Sequence, residues 1–228
     1  MTDSPAAAAS RQATRTRVWD LPTRLFHWAL AAAVIGLIAT GLGGIMEWHF
    51  RLGYTVLALL LFRLVWGFVG GRWSRFAAFV YPPGSLLAYL RGRAHPDDLI
   101  GHTPLGALSV FALLAILALQ VATGLVADDE ISAAGPLTRF VSGDLVSLAT
   151  GWHSTQGKWI VIALASLHVL AVLFYVLVKR HRMVAPMVSG DKDIAAAGSR
   201  DDAASRGFAL VLALLCAGVA YWVSSLRA

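Results

Sequence analysis

The stretch WIVIALASLHVLAVLFYVLV, Trp159 to Val178, decides the fold. It runs for twenty residues without a formal charge and is followed at once by Lys179 and Arg180. A bilayer core of about 30 Å takes roughly twenty apolar residues as helix, because in lipid a helix satisfies its own backbone hydrogen bonds. Four further segments have the same character: about Leu25–Gly43, Leu52–Gly70 with Arg63 inside it, Leu105–Ala127 and Phe208–Ser224. Composition agrees, with 57% of the 228 residues hydrophobic and 14% charged, against roughly 25% charged in a soluble domain. The expected fold class is all-α: an integral membrane helical bundle with a four-helix core and a fifth, C-terminal transmembrane helix. The polar, Arg-containing N-terminus could pass for the start of a signal peptide. The apolar segment after it is too long for a secretory h-region and reads as a retained span.

Loop charges give a direction. The N-terminal tail carries Arg11, Arg15 and Arg17, and the second–third loop carries Arg72, Arg75, Arg91 and Arg93. The fourth–fifth loop carries Lys179, Arg180, Arg182, Lys192, Arg200 and Arg206. The other two loops hold Glu47, and Asp128, Asp129, Glu130 and Asp144. Positive loops stay in the cytoplasm. The expectation is a multi-pass protein of the bacterial cytoplasmic (inner) membrane, N-terminus inside and C-terminus outside. The net charge of +6 then reflects cytoplasmic loops and anionic lipid, not nucleic acid. Residues 1–17 read as a cytoplasmic tail, 18–193 as the main membrane domain, and 194–228 as a linker and additional helix. The single cysteine, Cys216, excludes an internal disulfide, a Cys-x-x-Cys-His haem attachment and a cysteine-held iron–sulfur cluster.

The chemical content lies in the histidines, seven in all. His95 and His181 fall in charged turns and read as solvated. His102, just before Pro104, caps a span or reaches a carboxylate. The other four sit at membrane depth, where an ionisable group faces the bundle interior with a partner. His168 is mid-span, and a cross-helix hydrogen bond is the plain alternative for it alone. His153 lies fifteen residues earlier, about 22 Å along a helix and just over four turns away, so both point to roughly one side. His49 starts a span on the same side as His153, and His27 starts one on the half His168 can reach. Two pairs can form, His49 with His153 and His27 with His168. Neutral imidazole is a good axial ligand for iron. Two non-covalent b-type haems would use all four and need no cysteine. Arg24, before His27, suits a propionate or anchors the span at the interface, and Arg63 could serve the same purpose.

These residues carry a resemblance. VWDLPTRLFHWAL (Val18–Leu30) followed by HFRLGYTVLALLLFRLVWGFVG (His49–Gly70) is similar to the bacterial cytochrome b561 family, which includes the cytochrome b subunits of nickel–iron hydrogenases. The likeness continues through GHTPLGALSVFALLAILALQVATGLVADDE, GPLTRFVS and LHVLAVLFYVLVKRHRMVAPMVSGDK, covering roughly residues 18 to 193. It implies four helices holding two b haems and passing electrons across the membrane, with His27, His49, His153 and His168 as iron ligands. Two departures stand out. The span-four histidines are one residue further apart than in the family pattern, so HSTQGKW holds an extra residue. The fifth span lies beyond the match.

The function expected is transmembrane electron transfer between the quinone pool and a periplasmic c-type cytochrome or a dehydrogenase or hydrogenase subunit, in the manner of a respiratory chain. The acidic outer loop suits a basic partner. A second reading is a superoxide oxidase that reduces quinone, with Lys158 drawing the anion toward the outer haem. A third, a histidine-lined metal or proton transporter, needs polar groups inside the spans, which are scarce beyond Arg63 and Gln120.

Overall fold

The computed structural model describes residues 14–131 and 133–226; Arg11 and most of the 1–17 tail lie outside the described residues. Five helices are long and apolar enough to cross a membrane: α1 (Leu21–Leu42), α2 (Met46–Val69), α4 (Pro104–Val126), the continuous Gly143–Leu177 rod and α8 (Ala203–Ser225). The rod consists of α5 (Gly143–Gly151), a π-helical turn (Trp152–Gly157) and α6 (Lys158–Leu177). Short helices α3 (Pro83–Leu90) and α7 (Val184–Ser189) lie in the connections. Strand β1 (Thr14–Arg17) pairs antiparallel with β2 (Asp191–Ile194).

Three boundaries differ from the hydropathy reading, each for a local reason. Helix α1 begins at Leu21, four residues early, because Asp20 caps it: its carboxylate accepts from Thr23 N at 2.8 Å, with Pro22 in the first turn. Asp/Ser-type caps followed by proline start helices regardless of hydrophobicity. His27 therefore sits in the second turn. Helix α2 begins at Met46, directly after the turn at Gly44 (φ 70°), which brings His49 inside a helix. The fourth span starts at Gly143, not near Trp159, because Ser142 caps it and accepts from Leu145 N. Much of the supposed outer loop is thus helix, and His153 lies within the rod.

The bundle packs α1 on α2, α2 on α8, and α4 on both α2 and α6. The fifth helix is part of the core: Phe26, Phe62, Trp66, Ala209 and Cys216 form one buried cluster. Trp66 stacks with Phe62 (centroids 5.6 Å) and Phe208 (6.3 Å). Such aromatic pairs add about 0.5–1.5 kcal/mol beyond burial.

The basic end is tied by Asp20, which is fully buried. Besides capping α1 it accepts from Trp66 Nε1 (3.2 Å), Gly71 N (3.1 Å) and Ser74 Oγ (2.6 Å). A Cβ on Gly71 would lie 2.3 Å from its Oδ2, so glycine is what lets the loop close on it. Ser199 joins the linker to the same region, accepting from Trp73 N and donating to Val18 O. Arg17 bridges Asp191 and Asp201. Asp201 loses solvation on burial, but its bonds from Arg206 and Leu21 N dominate and hold its carboxyl below the usual range.

Candidate functional site

Two histidine clusters form, one toward each end of the bundle. At the acidic end, His49 of α2 and His153 of the π turn face each other with ring centroids 6.0 Å apart and planes at 86°. Each ring is oriented by a main-chain carbonyl. The Nδ1 of His49 lies 3.1 Å from Leu37 O on α1, and that of His153 lies 2.9 Å from Gln120 O on α4. A carbonyl only accepts, so each Nδ1 carries the proton and each Nε2 keeps its lone pair for a metal. Glycines stand against both rings. A Cβ on Gly41 would lie 3.1 Å from His49 Cε1, and one on Gly124 would lie 2.7 Å from His153 Cε1.

Around the pair lies a largely apolar cavity of about 320 Å³, lined by residues including Leu37, Val56, Leu117, Val121 and Val161, with Lys158 at its edge. Two nitrogens each about 2 Å from one metal stand ~4 Å apart, which puts the ring centroids about 6 Å apart. The observed separation fits one metal between two imidazoles, with apolar walls for a porphyrin.

The basic-end cluster is built differently. His27 of α1 meets the edge of Trp28 (4.9 Å, 88°), and its buried Nδ1 has no hydrogen-bond partner. His168 projects from the middle of α6. A third imidazole joins them: His102 is held between Trp19 (4.6 Å) and Phe79 (4.4 Å), its Nδ1 buried and without a partner. Burial pushes the His102 pKa down to about 3, aided by the positive charges of Arg63 and Lys192 and by the nearby imidazoles of His27 and His168. These groups therefore act on one region.

Arg63 is 3% exposed, lies over the Phe76 ring at 4.6 Å, and its NH1 is buried without a partner. The one carboxylate that acts on it through space is the buried Asp20, already committed to capping α1 and to Trp66, Gly71 and Ser74. A buried guanidinium in that condition calls for an anion, and a haem propionate would be one. Arg24 donates through NH1 to Val188 O at the end of α7, while its Nε is buried without a partner; part of its guanidinium is thus spent on anchoring α7. The orphaned nitrogens of Arg24, Arg63, His27 and His102 suit a group bringing carboxylates and a metal.

Sequence reasoning did not find the pairing of His102 with this cluster, the carbonyl of Leu37, or the role of Gln120. Gln120 was visible as the lone amide in its span. The HSTQGKW stretch overlaps the π turn Trp152–Gly157, whose i→i+5 bonds take in one residue more than an α turn.

The chain matches the family described as prokaryotic cytochrome b561 over residues 18–190. It belongs to that family. Among curated relatives, this b561 cytochrome is 25% identical to the probable Ni/Fe-hydrogenase B-type cytochrome subunit of Cupriavidus necator, over 83% of this chain and 91% of that protein. It is 26% identical to the corresponding subunit of Azotobacter chroococcum (79% and 89%) and 24% identical to the hydrogenase 1 subunit of Escherichia coli K12 (76% and 88%). No solved structure matches. The family and the five apolar helices make the chain a multi-pass, haem-b membrane protein that transfers electrons across the membrane.

Proposed function

We propose that this b561 cytochrome holds two haems b, one between His49 and His153 and one between His27 and His168. We further propose that it moves electrons between quinone and a redox partner at the opposite face. The observation that carries this is the His49–His153 pair at 6.0 Å, with both Nδ1 atoms committed to main-chain carbonyls. When bound, haem b supplies a reversible one-electron ferric–ferrous couple.

The chain's own residues do the rest. His49 and His153 present Nε2 from fixed rings. The apolar walls from α1, α2, α4 and α6 exclude water, which strengthens every charge effect on the couple. Arg63 and Arg24 would take propionates at the basic end, where their positive charge favours the reduced form, and His102, neutral in its buried setting, would add an N–H. Residues 18–193 act as the electron-transfer unit, with α8 supporting it laterally through α2.

The positive loops support an orientation with the basic end in the cytoplasm and residence in the inner membrane. The acidic end, with Asp128, Asp129 and Glu130, then faces the periplasm. The hydrogenase naming of the relatives supports a hydrogenase-type or other dehydrogenase subunit as partner, with a periplasmic c-type cytochrome as the other candidate. A second reading, superoxide oxidation at the acidic-end haem with delivery to quinone, is favoured by Lys158, which lines the cavity at the acidic end.

A pyridine haemochrome assay with protein quantitation tests the main reading. Two haems per chain are expected, and one or none defeats it. Stopped-flow mixing with superoxide separates the second reading, which requires rapid haem reduction.

A further inference from the structure

We propose that Gln120 is the positioning residue of His153, clasping that ligand at both ring and main chain and so setting the properties of the acidic-end haem alone. The inference rests on His153 being an axial ligand. Two hydrogen bonds run between the same two residues in opposite senses. The ring Nδ1–H of His153 donates to Gln120 O at 2.9 Å, and Gln120 Nε2 donates to His153 O at 2.8 Å. Together they close a loop between α4 and the rod that fixes the imidazole relative to its own backbone.

The π turn explains why such a clasp is placed here. Its hydrogen bonds reach one residue further than in an α-helix, which widens the turn and disturbs the carbonyl ladder. His153 lies in that turn, and its carbonyl receives the Gln120 amide. Gly157, at the end of the same turn, makes the approach possible: a Cβ there would lie 2.1 Å from Gln120 Oε1 and 2.6 Å from Trp152 Nε1. Both atoms are buried without a partner, so among the described residues the Nε2 bond is the one hydrogen bond of this side chain, and its geometry depends on Gly157. His49 has no equivalent: its ring bonds Leu37 O with Thr40 Oγ1 nearby at 3.4 Å. The two ligands of one haem thus differ in how they are held, and the amide half of the clasp on His153 is removable by substitution while its main-chain half stays.

The test uses the full-length, haem-loaded protein. Gln120→Met keeps length and removes the amide; Gly157→Ala keeps the amide but fills the space it occupies. In each variant, one of the two low-spin ferric EPR signals is expected to move and the other to stay. The haem giving the moved signal should transfer to an acceptor globin severalfold faster, below the roughly 10–100-fold that follows loss of a partner on the ligating ring itself, because the ring's bond to the main-chain carbonyl of residue 120 survives both substitutions. His153→Ala labels the signal: the one it abolishes must be the one that moves. Unchanged signals and transfer rates in Gln120→Met overturn the proposal, as does movement of the signal that survives in His153→Ala. If Gln120→Met does not accumulate, Gly157→Ala decides by the same criteria. If His153→Ala keeps both haems, the ligand assignment itself has failed, a result distinct from an unresponsive Gln120→Met.

Discussion

The two ends of the bundle hold their histidines by opposite means. At the acidic end, main-chain carbonyls of Leu37 and Gln120 orient both rings, and two glycines leave room behind them. At the basic end, the buried Nδ1 of His27 has no hydrogen-bond partner among the described residues, and the surroundings are buried nitrogens of Arg24, Arg63 and His102, likewise without partners. The first site is shaped by the backbone, through carbonyls that fix both rings. The second is shaped by charge, and the propionates of a haem would complete it. Geometry should dominate what substitutions do at one end, electrostatics at the other.

The sharpest way to break this comparison is to remove ligands. His153→Ala and His168→Ala should each lower the haemochrome value from two haems per chain to one, leaving the other end's spectrum intact. If either empties both sites, the ends are not independent. Next comes Arg63→Gln. Removing a buried positive charge favours the ferric state, so the basic-end potential should fall, by on the order of tens of millivolts, in a redox titration, while the acidic-end potential holds.

A smaller effect should separate Gly124→Ala from Gly41→Ala. The added methyl meets His153 at 2.7 Å in the first and His49 at 3.1 Å in the second. The ferric EPR g-values of the acidic-end haem should move more for Gly124→Ala, and equal shifts would deny that the glycines fit the rings. The smallest effect is on acid stability. Burial pushes His102 down to about 3 from its ordinary 6.5, so on acidification the unfolded chain takes the proton first. Its contribution is complete above pH 6.5 and is lost progressively as pH falls toward 3. His102→Phe, packed between the same rings, should flatten the fall of melting temperature below pH 6.5.

The spans themselves were legible because lipid imposes one rule on every residue in a run: no charge and no unsatisfied backbone. Trp159–Val178 needs no tertiary information to be read that way. Errors gathered at span ends, where capping outweighs hydropathy. Asp20 and Ser142 are single polar residues that start helices, and a hydropathy window averages them away. The histidines were legible as candidates because an ionisable group in an apolar run is costly and needs a reason. Their surroundings were not. Leu37 O and Gln120 O are main-chain atoms with no sequence signature, and His102 joins its cluster through Trp19 and Phe79, distant in the chain. Arg17, Asp20 and Ser199 likewise come together across more than a hundred residues.

The sequence by itself determined that this chain crosses the membrane as helices and carries imidazoles at two depths, since both follow from the cost of polar groups in lipid, residue by residue. Tertiary structure decided that His49 and His153 face each other, which nitrogen those two rings leave free, and that the fifth helix belongs to the core. Those properties depend on helix phase, on the π turn of the fourth span and on carbonyls of neighbouring helices, and none of these can be counted along a single strand of letters.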